Sequence, residues 1–393
     1  MVCRYHHGLG QLADRSYRSN LPLQTFCAAQ CSKLETRNAV RLRAIPGTHQ
    51  PLTKNGTFSA NACGPMLQIT GLSEVAGRYK ALLLDQFGVL HDGRRPYPGA
   101  VEAVAAAMDS GLRLLIISNS SRRSGGTLDK LAAMGFDRNC FEGVVTSGEL
   151  THRYLTLRPD DWWLRLGSRC LHINWSKRGP ASLEGFGLQV VADPRDADFF
   201  LAHGTEALSL PGGGLEERPL EDLKALLRGA AEEAVRTGTA PPPLVVANPD
   251  VVTVDGDDLV DMPGSLAAAY SSAGGPVVLM GKPSPLIYSA CGEILGLAPA
   301  EMLAVGDSLE HDVAGALSAG VDSLFVAGGI HARELLVPRE GGGEFGGRQP
   351  ATEVRVDVES LQRLINNLQL GSNCPGTGGG LKAPTYVAHH FVW

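Results

Sequence analysis

Four polar residues stand directly after apolar runs that are typical of buried strands. They are Asp85 after ALLL, Ser118 after LLII, Lys282 after VVLMG and Asp307 after MLAVG. In an open parallel sheet the carboxyl ends of the strands meet at one crevice, so residues far apart in sequence can share a site. Each residue alone has an ordinary structural role, as a cap or as a surface cation. Four of them at strand ends are harder to explain by chance than one.

A second carboxylate follows Asp307 on the same loop. The segment GDSLEHD carries Asp307 and, five residues later, Asp312 at the expected start of a helix. Two carboxylates on one loop can hold a hard divalent cation through oxygen ligands, directly or through water. The sequence therefore predicts a cation site at this loop.

The elements that must position these residues alternate between apolar strands and amphipathic helices. This alternation predicts an α/β fold with a parallel sheet covered on both faces. Regular structure is expected to begin near Tyr79, and the middle of the chain has a looser pattern of short strands and helices. We predict one core over residues 78–148 and 265–338, interrupted by an inserted domain over residues 149–264.

The two ends of the chain differ from this pattern. Residues 1–70 form a predicted extension, and its first fifty residues carry seven Arg/Lys against only Asp14 and Glu35. This bias is typical of a transit peptide for a plastid or mitochondrion, although a disordered extension of a cytoplasmic protein fits equally well. Residues 339–393 are glycine-rich, with one predicted helix at VESLQRLINNL, and the final twenty residues are expected to be mobile.

Composition limits the classes of partner. The 393 residues are 44% hydrophobic with a net charge of −6, which gives no basic field for nucleic acid. No apolar run approaches the roughly 20 residues of a membrane span, so no membrane partner is expected. The eight cysteines are scattered without zinc-like spacing, which predicts free thiols in a reducing compartment.

The polar motifs resemble those of a known superfamily. DQFG at Asp85, IISN at Ser118, MGKP at Lys282 and GDSLEHD at Asp307 are similar, in order and spacing, to the four motifs of the haloacid dehalogenase-like hydrolases. The insertion between the second and third motifs resembles the C2-type cap of class IIA, the branch of the NagD-like and pyridoxal phosphate phosphatases. The resemblance covers about residues 78 to 338 and implies a Rossmann-like core with an α/β cap.

The resemblance also implies roles for individual residues. Asp85 would attack phosphorus and form an aspartyl phosphate, with Lys282 offsetting negative charge and Ser118 holding a phosphoryl oxygen. Mg²⁺ would be bound by the carboxylates and by one backbone carbonyl, and the implied ligands are Asp85, Phe87, Asp307 and Asp312. The implied substrate, a small phosphorylated metabolite, would meet further residues at Gly88, Ser118, Asn119, Asn248 and Asp250. For Asn248 and Asp250 a turn role is an open alternative, and a homodimer through the cap would be similar to relatives.

Phe87 departs from the family pattern. Phosphatases of this superfamily carry an aspartate at that position, which protonates the leaving oxygen and activates water, a contribution of roughly 10²- to 10⁴-fold. A phenyl ring can do neither, so turnover is expected to be slow unless His91 or Asp92 substitutes. Two alternatives stay open: a catalytically silent protein that binds a phosphorylated metabolite or a protein partner, and a hydrolase of carbon–halide bonds that needs neither metal nor second acid.

Overall fold

A computed structural model describes residues 66–255, 258–338, 354–371 and 383–393 of the chain. Residues 1–65 of the predicted extension or transit peptide lie outside the described residues, so the predicted localisation stays a prediction.

The strands of the described residues follow in chain order: β1 (Leu67–Gln68), β2 (Ala81–Leu84), β3 (Arg113–Ser118), β4 (Phe141–Thr146), β5 (Arg169–Asn174), β6 (Gln189–Val190), β7 (Phe199–Ala202), β8 (Ala207–Ser209), β9 (Leu215–Glu217), β10 (Leu244–Val246), β11 (Val252–Asp255), β12 (Asp258–Asp261), β13 (Val277–Leu279), β14 (Met302–Gly306), β15 (Asp322–Val326), β16 (Leu336–Pro338), β17 (Val354–Val356) and β18 (Tyr386–Ala388).

The helices connect these strands and cover the sheets. In chain order they are α1 (Ala100–Asp109), α2 (Thr127–Ala133), α3 (Ser147–Leu157), α4 (Asp161–Arg165), α5 (Leu220–Thr237), α6 (Gly264–Ser272), α7 (Pro285–Leu295), α8 (Ala314–Ser318), α9 (Ala332–Leu335) and α10 (Val358–Gly371). Helix α5 shows why the sequence forms them: its buried residues recur at helical spacing, at Leu223, Leu227, Ala231 and Ala234. It ends at Gly238, whose φ of 72° is the left-handed conformation that closes many helices.

The core is a parallel sheet of seven strands in the order β1-β18-β15-β14-β2-β3-β4. Strand β2, which lies between β14 and β3, is fully buried, because helices cover both faces of the sheet. Leu82 and Leu84 point into one hydrophobic cluster, whereas Ala81 and Leu83 point into another. The predicted fully buried strand ending on an acid is therefore confirmed, since Asp85 is the residue that follows β2.

The second sheet belongs to the inserted domain. Its strands follow the order β13-β10-β7-β5-β8-β9, with β6 also paired to β5, and it mixes parallel and antiparallel pairs. The sequence predicts that the core resumes at residue 265, but β13 pairs in parallel with β10 of the second sheet. The inserted sheet therefore takes the strand that leads directly to Lys282. Three residues are too few to show from sequence which sheet a strand joins.

The end of the chain corrects a second expectation. Mobility was expected for the final twenty residues, yet β18 lies between β1 and β15 and completes the core sheet. Tyr386, Val387 and Ala388 are all buried. Strand β1, which pairs with β18, also precedes the expected start of regular structure. The predicted helix at VESLQRLINNL is confirmed as α10.

None of the described helices has the length and apolar character that a membrane crossing requires. Cys140, Cys170 and Cys291 are buried free thiols.

Candidate active site

The predicted site residues meet at the carboxyl edge of the core sheet. Asp85 follows β2, Ser118 ends β3 and Asp307 follows β14, and these three strands are neighbours. Lys282 arrives from the inserted domain, three residues after β13. Asp312 lies on the π-helical turn Leu309–Val313, at the start of α8. The fold therefore brings together the residues that four separate sequence motifs supply.

Three carboxylates lie close enough to share a cation. One oxygen each from Asp85, Asp307 and Asp312 lies within 4.8 Å of the others. Asp307 and Asp312 are buried, each 4% exposed. Burial, only partly offset by Lys282, raises the pKa of Asp85 to about 6. Burial, with repulsion from Asp85 and Asp312, raises the pKa of Asp307 well above its usual range. This electrostatic cost is what a divalent cation with oxygen ligands would relieve, so the residues fit such an ion.

Lys282 bridges two of the carboxylates. Its Nζ lies 2.8 Å from Oδ1 of Asp85 and 2.6 Å from Oδ1 of Asp312, and its side chain is 4% exposed. Burial alone would lower the pKa of Lys282, but Asp312 and Asp85 together raise it well above its ordinary value. With all three carboxylates ionised, the cluster would carry two net negative charges beside the Lys282 ammonium, which one dication would balance. We call Asp85, Lys282, Asp307 and Asp312 the charged cluster.

Backbone amides and close glycines fix the two later aspartates. The amide of Ile330 donates to Oδ2 of Asp307 at 2.8 Å, and the amide of Ser308 donates to Oδ2 of Asp312 at 3.1 Å. A Cβ on Gly88 would lie 1.7 Å from Oδ2 of Asp307, and its φ is +77°. Gly88 is thus required both by its left-handed backbone and by its closeness to the carboxylate. This closeness also places the Phe87–Gly88 peptide beside Asp307. The carbonyl of Phe87, which belongs to this peptide, is the predicted fourth ligand of Mg²⁺.

Asn119 joins the core to the loops that follow β10 and β13. Its Nδ2 donates to Oδ1 of Asp250 at 2.8 Å and to the carbonyl of Lys282 at 3.0 Å, and its Oδ1 accepts from the amide of Lys282 at 2.7 Å. Ser147 adds two longer contacts, to Asn119 and to the carbonyl of Ser118. Asn119, predicted to bind substrate, therefore uses its amide to position Lys282.

The two predicted cap residues form a turn at the same junction. Asn248 is 2% exposed, and its Oδ1 accepts from the amide of Asp250 at 2.9 Å. This is the turn role that the sequence left open. Oδ1 of Asp250 also lies 3.7 Å from Nε2 of His311, whose Nδ1 is 3.3 Å from the carbonyl of Lys282. In the sequence His311 belongs to no metal-binding motif, so the pattern predicts a turn or surface role for it, although it stands immediately before Asp312.

Neither candidate for the missing acid is suited to that role. Asp92 accepts from the amides of Arg94 and Arg95 at 2.8 and 2.7 Å, and these backbone bonds lower its pKa. Burial lowers the pKa of His91, and its Nδ1 accepts from the amide of Gly93 at 3.0 Å. At neutral pH the aspartate is ionised and the histidine is neutral. The ring of Phe87 lies edge-on to His91, with centroids 4.7 Å apart.

The inserted domain contains a buried polar group of its own. Nε2 of His172 lies 3.0 Å from Nδ1 of His203, and Nδ1 of His172 lies 2.9 Å from Oγ of Ser209. His172 and His203, here called the histidine pair, are 1% and 4% exposed. Burial lowers the pKa of His203 to about 4 and the pKa of His172 well below 6.5. Both rings are therefore neutral at neutral pH.

Comparison with known proteins agrees with this geometry. Residues 82–180 match a family model described as haloacid dehalogenase-like hydrolase, and residues 279–342 match one described as HAD-hydrolase-like. Chronophin of Rattus norvegicus is 28% identical over 285 residues, which are 68% of this chain and 82% of that protein. The acid sugar phosphatase of Staphylococcus aureus is 26% identical over 260 residues, which are 65% of this chain and 90% of that protein.

A solved structure supports the fold. The haloacid dehalogenase-like hydrolase of Brucella suis 1330 matches with a TM-score of 0.56 at 24% identity, over 82% of this chain and 100% of that chain. The predicted α/β architecture, a Rossmann-like parallel-sheet core with an inserted cap, is thereby confirmed. The second sheet with its helices α5 and α6 is called the cap below.

Proposed function

Because the chain belongs to class IIA of the haloacid dehalogenase-like hydrolase superfamily, we propose that it is a phosphoric monoester hydrolase that forms an aspartyl phosphate at Asp85 with Mg²⁺. The charged cluster carries this proposal. Three carboxylates converge within 4.8 Å, and Lys282 contacts two of them. A cation, a phosphate and a nucleophile can be held together only where such charges are balanced.

Asp85 acts as the nucleophile in the first step. One carboxylate oxygen forms a bond to phosphorus while the bond from phosphorus to the leaving oxygen breaks. Lys282, which donates to Oδ1 of Asp85 at 2.8 Å, holds the carboxylate in one orientation. The residues that would hold Mg²⁺ are Asp85, Asp307 and the carbonyl of Phe87, with Asp312 in support. The bound cation would neutralise phosphoryl oxygens and align the ester.

In this proposal Ser118 holds a phosphoryl oxygen. Its Oγ accepts from the amide of Ser120 at 3.3 Å, which leaves the hydroxyl hydrogen to donate to the phosphate. Asn119 contributes indirectly, because it positions the backbone of Lys282. The cap completes the site, since Lys282 follows its strand β13.

Phe87 sets the expected rate. Both steps, release of the leaving oxygen and attack of water on the aspartyl phosphate, proceed without a carboxyl group at that position. General acid and base catalysis is worth roughly 10²- to 10⁴-fold, so slow turnover is expected. The acid sugar phosphatase relative supports a small phosphorylated metabolite as substrate. A homodimer remains a prediction of the family resemblance.

A panel of small phosphoesters tests the proposal. We expect Mg²⁺-dependent phosphate release from at least one ester, and its loss in Asp85→Asn. Asp92→Asn is the matched control, because it changes an acid on the same loop that caps a turn rather than facing the cluster. Rapid quenching should trap a phosphorylated chain in the native protein and none in Asp85→Asn.

Three results would contradict the proposal. Phosphate release that survives Asp85→Asn would remove the aspartyl phosphate. Saturable binding of esters with no release by the native protein would favour the silent alternative, in which the charged cluster only binds a phosphorylated metabolite. Release of halide from a haloacid without Mg²⁺ would favour the carbon–halide alternative.

A further inference from the structure

A cavity of about 690 Å³ lies between the core and the cap. One wall is the core loop of residues 121–123, and the opposite wall comes from residues 175–186, which follow β5 of the cap. The volume is within the range of small-molecule sites. No member of the charged cluster lines this cavity, so it is distinct from the candidate active site.

The lining of the cavity carries more positive than negative charge. Among the described residues that form it, three are arginines, Arg122, Arg123 and Arg178, and one is an acid, Glu184. The two histidines of the lining are neutral at neutral pH, because burial lowers their pKa values. The whole chain has a net charge of −6, so this local excess of cations differs from the average. A cavity of this kind attracts anions.

Arg122 has hydrogen-bond donors left for a ligand. Its neighbour Arg123 is held by Glu149, with Nε 2.6 Å and Nη2 3.0 Å from the carboxylate oxygens. Arg122 forms no ion pair with a residue that the structure describes, and its Nη2 donates to the backbone carbonyl of Arg178 at 3.0 Å. This bond uses one of the five N–H groups of the guanidinium. The others can bind a carboxylate in the planar, two-bonded geometry that arginine favours.

Ser121 supplies a second donor beside Arg122. Its Oγ accepts from Nε1 of Trp175 at 3.2 Å, which leaves the hydroxyl hydrogen to donate to a ligand. This hydrogen bond, like the one from Arg122 to Arg178, joins the core loop to the cap. The donors for an anion therefore lie where the two domains already touch.

Apolar side chains form part of the cap wall. Pro180, Ala181 and Phe186 line the cavity, and the ring of Phe186 lies edge-on to His152 of α3, with centroids 4.7 Å apart. An inorganic anion would occupy only a small part of the volume and would leave these side chains in contact with water. A ligand with an apolar body would remove them from water, which is favourable.

From these features we infer that the cavity binds a small organic carboxylate with an apolar body. The carboxylate is held by Arg122 and Ser121 of the core, and the apolar body packs against Phe186 of the cap. Such a ligand contacts both domains, so it restrains the cap against the core loop that also carries Ser118 and Asn119. Binding requires neither Asp85 nor Mg²⁺, because it takes place outside the charged cluster.

Benzoate and benzamide test the need for a negative charge. The two molecules share a benzene ring, but one carries a carboxylate and the other a neutral amide. In calorimetry with the full chain and without Mg²⁺, we expect the Kd of benzoate to be at least about tenfold lower, because hydrogen bonds from a guanidinium to a carboxylate are stronger than those to a neutral amide. Equal Kd values, or no binding of benzoate, would overturn the inference.

Arg122→Gln tests the assigned donor. Glutamine removes the charge but keeps a side-chain N–H group, so we expect the Kd of benzoate to rise about tenfold and that of benzamide to stay unchanged. Arg95→Gln is the matched control, because it removes the same charge from another exposed arginine that does not line the cavity. If both variants weaken benzoate binding equally, the attraction comes from the overall charge of the protein and the assigned site is wrong.

Hydrogen exchange of the native chain locates the bound benzoate. Amides of both walls, in residues 119–123 and 175–186, should exchange more slowly with benzoate present, because the ligand joins the two segments. Protection confined to residues 85–93 and 307–313 would place benzoate in the candidate active site and overturn the inference. None of these measurements depends on turnover, so failure of the proposed phosphatase function would leave their results unchanged.

Discussion

The charged cluster and the histidine pair are both buried polar groups, but their stabilities have different origins. In the charged cluster, Lys282 lies within 2.8 Å of two carboxylates and a third carboxylate is close by. In the histidine pair, neutral rings share hydrogen bonds with each other and with Ser209. The histidine pair thus shares its hydrogen bonds within the cap and carries no charge, whereas the charged cluster of the core has more carboxylates than cations.

The difference indicates which group is built for a ligand. A neutral pair of rings that are hydrogen-bonded to each other stabilises the fold without a bound ion. Burial and mutual repulsion raise the pKa values of Asp85 and Asp307, so their ionised forms would be stabilised further by a bound cation. We therefore expect metal and phosphate to bind at the charged cluster and not at the histidine pair.

Replacing the single cation of the cluster should have the largest effect. In Lys282→Met we expect turnover to fall about 10³-fold, as for loss of a donor to a developing charge. The free energy of unfolding should fall by about 3 kcal/mol, because two buried carboxylates lose their partner. Phosphatase assays and urea unfolding measure these changes, and Mg²⁺ should restore part of the stability.

Lys224→Met is the control for this substitution. Lys224 pairs with the exposed Glu221 on α5 at 2.8 Å, and exposed pairs contribute about 0 to 1 kcal/mol. If Lys282→Met and Lys224→Met lose the same stability, the charged cluster is not electrostatically distinct from the surface.

Adding a carboxyl group to the crevice should raise the rate. In Phe87→Asp we expect turnover of alkyl phosphates to increase about 10²-fold, because a general acid and base becomes available. Phe87→Leu, which removes the ring without adding an acid, should show no such gain in steady-state assays. An unchanged rate in Phe87→Asp of an otherwise active enzyme would mean that another group already supplies the proton.

Lowering the pH should reduce the stability of the cap, because the histidine pair becomes protonated on unfolding. The folded protein keeps both rings neutral, with the pKa of His203 lowered to about 4, whereas the unfolded chain protonates them near pH 6.5. The unfolded state therefore binds more protons below pH 6.5, and stability is lost as the pH falls. Between pH 7 and pH 4.5 we expect His203 to account for roughly 2 to 3 kcal/mol of this loss.

His203→Gln isolates that contribution. Glutamine can still share a hydrogen bond with His172 but does not titrate, so urea unfolding of the variant should depend less steeply on pH. Identical pH dependence in the native protein and the variant would show that the histidine pair is not kept neutral by burial.

The smallest effect is expected at Gly88. In Gly88→Ala the new Cβ would meet Oδ2 of Asp307 at 1.7 Å, so this ligand must shift and Mg²⁺ affinity should fall about tenfold. Gly93→Ala is a matched control on the same loop: its φ of +97° is also left-handed, but its Cβ would meet the ring of Phe87 at 3.0 Å. Calorimetry should show weaker Mg²⁺ binding in the first variant only.

The residues of the charged cluster could be found in the sequence because strand ends converge. Asp85 and Asp307 follow continuous apolar runs, and such runs form adjacent parallel strands whose ends face one crevice. The role of Asn119 could not be found this way, since its partners lie 131 and 163 residues away on cap loops. The same holds for Ile330, whose contact with Asp307 is made by a backbone amide that any residue possesses.

By itself the sequence determined the parallel core, the cap insertion and the positions of the residues that form the charged cluster, because apolar periodicity and polar strand ends are local features. Only the tertiary structure decided that β13 joins the cap sheet and that β18 completes the core. Strands of three residues carry too little pattern to select their neighbours, so pairing is set by which sheet edge is open and which side chains are buried there. The tertiary structure likewise decided that Gly88 and Ile330 lie beside the carboxylate of Asp307, because that proximity arises from the meeting of two distant loops.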